Sequence, residues 1–158
     1  VYGGFNTSLS WKGFDLSAIF AYSIGGYIYN RDITMILHNG SLEGRDWSTE
    51  ILKRWTPENR YTDVPALSTT SNNWNSASTR FLQNNSYMRL KNLTLSYDLP
   101  KQWISKLALS SVQVFVQGDN LFTIHRNQGL DPEQGITGIT YYRYPAMRTI
   151  SGGINLSF

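Results

Sequence analysis

Tyr87-Met88-Arg89-Leu90-Lys91-Asn92-Leu93-Thr94-Leu95-Ser96-Tyr97-Asp98-Leu99 decides the fold class. Leu93, Leu95, Tyr97 and Leu99 fall on one side of this stretch; Asn92, Thr94, Ser96 and Asp98 fall on the other. A period of two marks a β-strand with one apolar face. Pro100 ends it, because proline has no amide hydrogen to give to a ladder.

The same period recurs on either side. Phe5, Thr7, Leu9 and Trp11 alternate with polar residues, and Lys12-Gly13 offers a tight turn into Phe14, Leu16, Ala18, Phe20 and Tyr22. Val112, Val114 and Val116 share a face downstream, as do Ile150, Ile154, Leu156 and Phe158. The pattern predicts antiparallel strands near residues 3–11, 14–22, 87–99, 109–118 and 146–158. The connections then alternate short, long, short, long, with long loops at about 24–86 and 119–144. The first loop is too long to be passive and is expected to carry short helices. One lies at Asp32–His38. Another starts at Asp46 or Ser48 as N-cap, runs to about Trp55 and stops before Pro57.

Alternation alone fits a soluble sheet with one buried face equally well. Three features favour lipid. Arg89 and Lys91 share parity with Leu93, and Arg148 shares parity with Ile150, so each charge falls at the loop-side end of an apolar face. There a cation costs about 0–1 kcal/mol, against roughly 2–4 at mid-bilayer. Little else in the chain could cover five apolar faces. The segments 14–22 and 148–158 also have the roughly nine to eleven residues that a tilted strand needs to span a bilayer. The lipid-facing set is therefore Leu93, Leu95, Tyr97, Leu99, Val112, Val114, Val116, Ile150, Ile154, Leu156 and Phe158. Tight periplasmic turns and long extracellular loops are the habit of membrane barrels.

Composition removes other classes. No apolar run approaches the ~18 residues of a transmembrane helix, which leaves strands as the means of crossing. The absence of cysteine excludes disulfides, thiol nucleophiles and thiolate metal sites. A net charge of +3 without a basic run argues against nucleic acid. His38 and His125 lie in different loops without metal-ligand spacing, and no nucleophile elbow or phosphate loop occurs. Asp119, Asp131 and Glu133 read better as a solvated acidic loop than as a calcium site. No enzyme, metal or cofactor is expected. Beginning at Val1 without a signal peptide, the 158 residues read as part of a longer protein.

Aromatic residues make up 14% of the chain and concentrate in the loops as well as the strands. Trp47, Trp55, Tyr61 and Trp74 accompany Asn72, Asn73 and Asn75, and Tyr141, Tyr142 and Tyr144 lie in the second loop. Ring plates beside amides suit sugar recognition. Trp47, Trp55, Tyr61, Trp74, Tyr141 and Tyr142 are thus candidate substrate or partner contacts. The same rings serve equally well as the loops' own core.

Four stretches and the ending resemble one family. They are Arg54-Trp55-Thr56-Pro57-Glu58-Asn59, residues 86–97, Gly118-Asp119-Asn120-Leu121-Phe122-Thr123, Gly129-Leu130-Asp131-Pro132-Glu133, and Gly152-Gly153-Ile154-Asn155-Leu156-Ser157-Phe158. In this order they resemble the C-terminal part of SusC/RagA-type TonB-dependent outer-membrane receptors of Bacteroidetes. The resemblance implies an all-β fold: the C-terminal antiparallel strands of a 22-stranded transmembrane barrel, with short helices in a long extracellular loop. It further implies a SusD-like surface lipoprotein as partner, TonB engaged through an N-terminal region not in this sequence, and import of oligosaccharides or peptides across the outer membrane. A fragment would not transport alone. The competing expectation is a β-sheet glycan-binding or surface adhesin module without transport.

Overall fold

The computed structural model describes residues 1–38, 40, 42–68, 70, 76–105, 109–127, 129–133 and 137–158. The chain divides into two compact units.

Unit 1 comprises Val1–Gly26, Asn85–Pro132 and Pro145–Phe158. Its strands are β1 (Tyr2–Trp11), β2 (Phe14–Ser23), β5 (Tyr87–Asp98), β6 (Ser111–His125) and β8 (Thr149–Ser157). They pair antiparallel in the order β1-β2-β5-β6-β8, each beside its nearest large-sheet neighbour in sequence, with β1 and β8 outermost. The first hairpin closes at Lys12 (φ +49°) and Gly13 (φ +87°). Two consecutive left-handed residues give the hairpin turn whose twist matches that of the strands. A short helix, α2 (Lys101–Ile104), begins just after Pro100.

Register creates the two faces. Leu16, Leu95 and Val116 lie across from one another, Phe14, Tyr97, Val114 and Ile154 form the next row, and Val112 faces Leu156. Ring pairs reinforce it: Phe5 stacks on Phe20 at 4.7 Å and Phe14 meets Tyr97 at 4.4 Å. Such cross-strand pairs are the unit of sheet stability. The apolar face is largely open: Leu95 is 47% exposed, Val116 55% and Ile154 64%. Ser17, Thr94 and Gln117 line the opposite face, as do Asp15 and Ser96.

Two expectations need correction here. A bulge between Leu90 and Asn92 takes Lys91 out of the ladder register on both sides. Because side chains alternate, one extra residue reverses the phase. Leu90 and Met88, paired with Phe20 and Tyr22, therefore continue the apolar face, and Arg89 moves to the polar one. The shared parity of Arg89 and Leu93 does not place them on one side. Secondly, β6 runs to His125 rather than stopping near Gly118, so residues 119–125 belong to a strand and not to the second loop. Asn120 (φ +52°) and Leu121 make the matching irregularity on β6. Gly118 makes room for it: a Cβ there would lie 2.7 Å from a Leu121 methyl.

Unit 2 comprises Tyr27–Asn84 and Glu133–Tyr144. It holds a second sheet that the sequence pattern did not reveal: β3 (Tyr27–Asn30) antiparallel to β4 (Leu82–Asn84) and parallel to β7 (Ile139–Thr140). Helix α1 (Arg31–Ile36) follows β3, capped by the Asn30 side chain, which accepts the Ile33 amide at 3.1 Å. In place of a helix over 46–55 there is a 3-10 turn, Thr49–Lys53, with Ser48 as its cap. Leu37, Ile51 and Val64 form a small core with Ile33 against it. Phe81 and Ile28 are also fully buried. Burial lowers the Arg80 guanidinium below its ordinary value, while Asp63 opposes that shift.

Candidate functional site

The polar face of unit 1 ends, on the loop side, in a buried ionic network. Arg89 is 4% exposed and pairs with Asp131, itself 7% exposed. The bulge turns Arg89 inward, and register sets it opposite Thr123, whose hydroxyl accepts from Nε at 2.9 Å. The second Asp131 oxygen accepts the Ala146 amide at 2.7 Å. Asn85 donates to the Pro132 carbonyl at 3.0 Å and accepts from Asn127 at 3.3 Å. One carboxylate thus joins β5, the segment after β6 and the approach to β8. A pair so buried is strongly destabilised if one partner is lost.

A cleft of about 420 Å³ opens beside this pair, with Thr123, His125, Leu130, Pro145 and Arg148 among its walls. Arg148 precedes the first residue of β8 and lines this cleft, so strand parity does not fix its side. Further down the polar face Asn92 donates to Asp119 at 2.8 Å, and Gln117 donates to the same carboxylate at 3.2 and 3.3 Å. Asp119 and Asp131 are committed to different partners, which separates two members of the considered calcium set.

In unit 2 the candidate aromatics have distinct settings. Tyr141 and Tyr142 lie 4.6 Å apart, and the Arg31 guanidinium stands 4.8 Å from the Tyr141 ring. Arg45 donates to the Tyr142 hydroxyl at 2.9 Å. Asp32 accepts from the Tyr142 amide at 2.9 Å and from the Thr140 hydroxyl at 3.2 Å, tying α1 to β7 and the residues after it. These contacts hold the two rings in place while leaving both substantially exposed.

Trp47 is half-exposed and donates through its indole to Nδ1 of fully buried His38 at 3.1 Å. His38 Nε2 has no hydrogen-bond partner among the described residues. The Trp55 amide bonds to Val64, and its side chain is half-exposed; Tyr61 is fully exposed. Trp74, with Asn72, Asn73 and Asn75, lies outside the described residues. The aromatic list therefore separates into a braced Tyr141–Tyr142 pair, a Trp47 partly spent on packing, and the outlying Trp55 and Tyr61. Asp131, expected in a solvated acidic loop, is instead buried against Arg89, and Arg89, Asp32 and Arg31 were not among the candidate contacts. An arginine inside an alternating strand was the available signal for Arg89.

These features define a class: a two-faced antiparallel wall whose two long connections leave its strands from one end. No family model matches the chain. The chain is 33% identical to TonB-dependent receptor P3 of Formosa agariphila over 98% of its own length and 16% of that protein. It is 28% identical to TonB-dependent receptor SusC of Bacteroides thetaiotaomicron, again over 98% of itself and 15% of that protein. The RagAB peptide importer in its open-open state superposes with a TM-score of 0.86 at 35% identity, covering 99% of this chain and 17% of that one. The match is thus to TonB-dependent receptors, and within them to the SusC/RagA type. The chain spans about one sixth of the length of the relatives it matches. Its location is the cell outer membrane.

Proposed function

We propose that this chain supplies C-terminal wall strands and extracellular loops to a 22-stranded TonB-dependent barrel that imports oligosaccharides or peptides. The observation that carries this reading is the five-strand sheet in sequence order with one open apolar face and one polar face. Water would penalise that apolar face, and hydrocarbon would not. Trp11, Phe14 and Tyr97, at the hairpin end, suit the aromatic girdle of a barrel's periplasmic rim. The outer strands β1 and β8 offer edges for the rest of the wall. The residues expected from the sequence to face lipid then meet the membrane, except Val112, which the structure buries at 8% exposure, and the polar face lines the lumen. Residues 27–84 and 133–144 form the external part, where Tyr141 and Tyr142 contact substrate or a SusD-like lipoprotein. Transport further requires TonB, engaged by a part of the receptor beyond this sequence.

The absence of cysteine makes a direct test simple. In a full-length receptor freed of other cysteines, Val116→Cys resists a membrane-impermeant maleimide on intact cells, while Tyr61→Cys reacts readily. Rapid labelling at Val116 would remove the membrane reading and favour a surface binding module. Uptake of labelled oligosaccharides and peptides by cells with and without the receptor then decides the substrate class.

A further inference from the structure

Arg126 directly follows β6 and stands at an open cleft of about 250 Å³ whose walls include Ile24, Met88 and Ile124. Met88 pairs with both Tyr22 and Ile124, so the cleft adjoins the loop-side end of the apolar face. Ile24 and Ile124 are 63% and 64% exposed. Among the described residues no ion pair or hydrogen bond occupies the Arg126 side chain. The cleft is built on β2, β5 and β6, which are inner strands, so a strand added at β1 or β8 would not cover it.

Depth gives this cleft a meaning. From Phe14 to Ile24 the chain rises about 3.3 Å per residue, roughly 33 Å along the strand. Tilted near 40°, that is about 25 Å along the membrane normal, the height of a barrel's apolar band. Ile24 would then sit at the edge of the hydrocarbon and Arg126 at the level of the headgroups. A guanidinium there costs little and presents a fork that matches phosphate oxygens.

We propose that this cleft binds an anionic, phosphate-bearing membrane lipid, with an acyl chain against Ile24, Met88 and Ile124 and the phosphate on Arg126. The proposal rests on the lipid-facing reading above, and its test separates the two. The full-length receptor is placed in phosphatidylcholine vesicles containing a little phosphatidylglycerol with a photoreactive group in its acyl chain. Cross-links are then mapped to peptides. The expected result is enrichment at Ile24, Met88 and Ile124 over Val116 and Ile154. Arg126→Glu should reduce that enrichment about fivefold or more, Arg126→Lys should largely keep it, and Val116 and Ile154 should be unaffected. Loss of the enrichment on adding millimolar inorganic phosphate would mark a free-phosphate site and overturn the lipid. Cross-links at Val116 and Ile154 together with indifference to Arg126→Glu would overturn the site alone. No cross-link anywhere on this face would overturn the lipid-facing reading as well.

Discussion

Asp131→Ala in the full-length receptor is expected to lower stability by about 3–5 kcal/mol, more than any other single change considered. The substitution takes the carboxylate from Arg89, which stays 4% exposed with Thr123 beside it. It also takes the acceptor from the Ala146 amide. Arg89 is withdrawn from water while Ala146 is exposed, so the main penalty is that of a buried charge deprived of its ion-pair partner rather than that of a surface ion pair. Asp131→Asn keeps the shape and an acceptor oxygen and should fall between wild type and alanine. Pairing Arg89→Met with Asp131→Leu should restore much of the loss, since apolar residues of similar volume often replace a buried pair at little cost. Urea unfolding of the receptor folded into lipid vesicles measures all four proteins. Equal stability of the two single Asp131 variants and wild type would show that the pair does not hold this rim.

The same pair marks the limit of what the sequence discloses. Leu93, Leu95 and Tyr97 announce their strand because every second side chain meets one environment, and those residues share a face in the structure. Arg89 lies four positions before Leu93 and was assigned the same face. The bulge at Lys91 intervenes, and no composition rule marks a bulge of this kind. Its consequence is visible only with the partner, Asp131, which is 42 residues away in sequence. The extension of β6 was hidden for a related reason. Gly118-Asp119-Asn120 reads as a turn, yet β5 residues Tyr87–Leu90 supply a ladder for residues 122–125 beyond it. The three strands of the second sheet have four, three and two residues, too short for any period to show. At the candidate site, aromatic composition pointed to Tyr141 and Tyr142. Their supports, Arg31, Asp32 and Arg45, come from a distant part of the chain that only the fold brings near.

Leu95→Arg is expected to destabilise the full-length barrel by about 2–4 kcal/mol, and Thr94→Arg by far less. These adjacent positions are a controlled comparison, because they share a strand and a depth and differ in face. Leu95 stands between Leu16 and Val116 on the open apolar side. Thr94 stands between Ser17 and Gln117, and its hydroxyl donates to Asn92 at 2.9 Å. An arginine at 95 has hydrocarbon around it and no carboxylate in the adjacent pairs. An arginine at 94 has polar neighbours, with Asp119 bonded to the adjoining Gln117 and Asn92. Its head can stay hydrated in a wet lumen. The difference also discriminates against a soluble sheet packed by another layer. There an arginine at 95 would be buried under protein, and exchanging lipid for detergent of shorter chain length would not change its cost. In a bilayer the cost should fall as the hydrocarbon thins and the side chain reaches the interface. Folding the two variants into vesicles of graded acyl length reads both effects at once. Equal tolerance at positions 94 and 95, or a Leu95→Arg cost independent of thickness, would remove lipid from the apolar face.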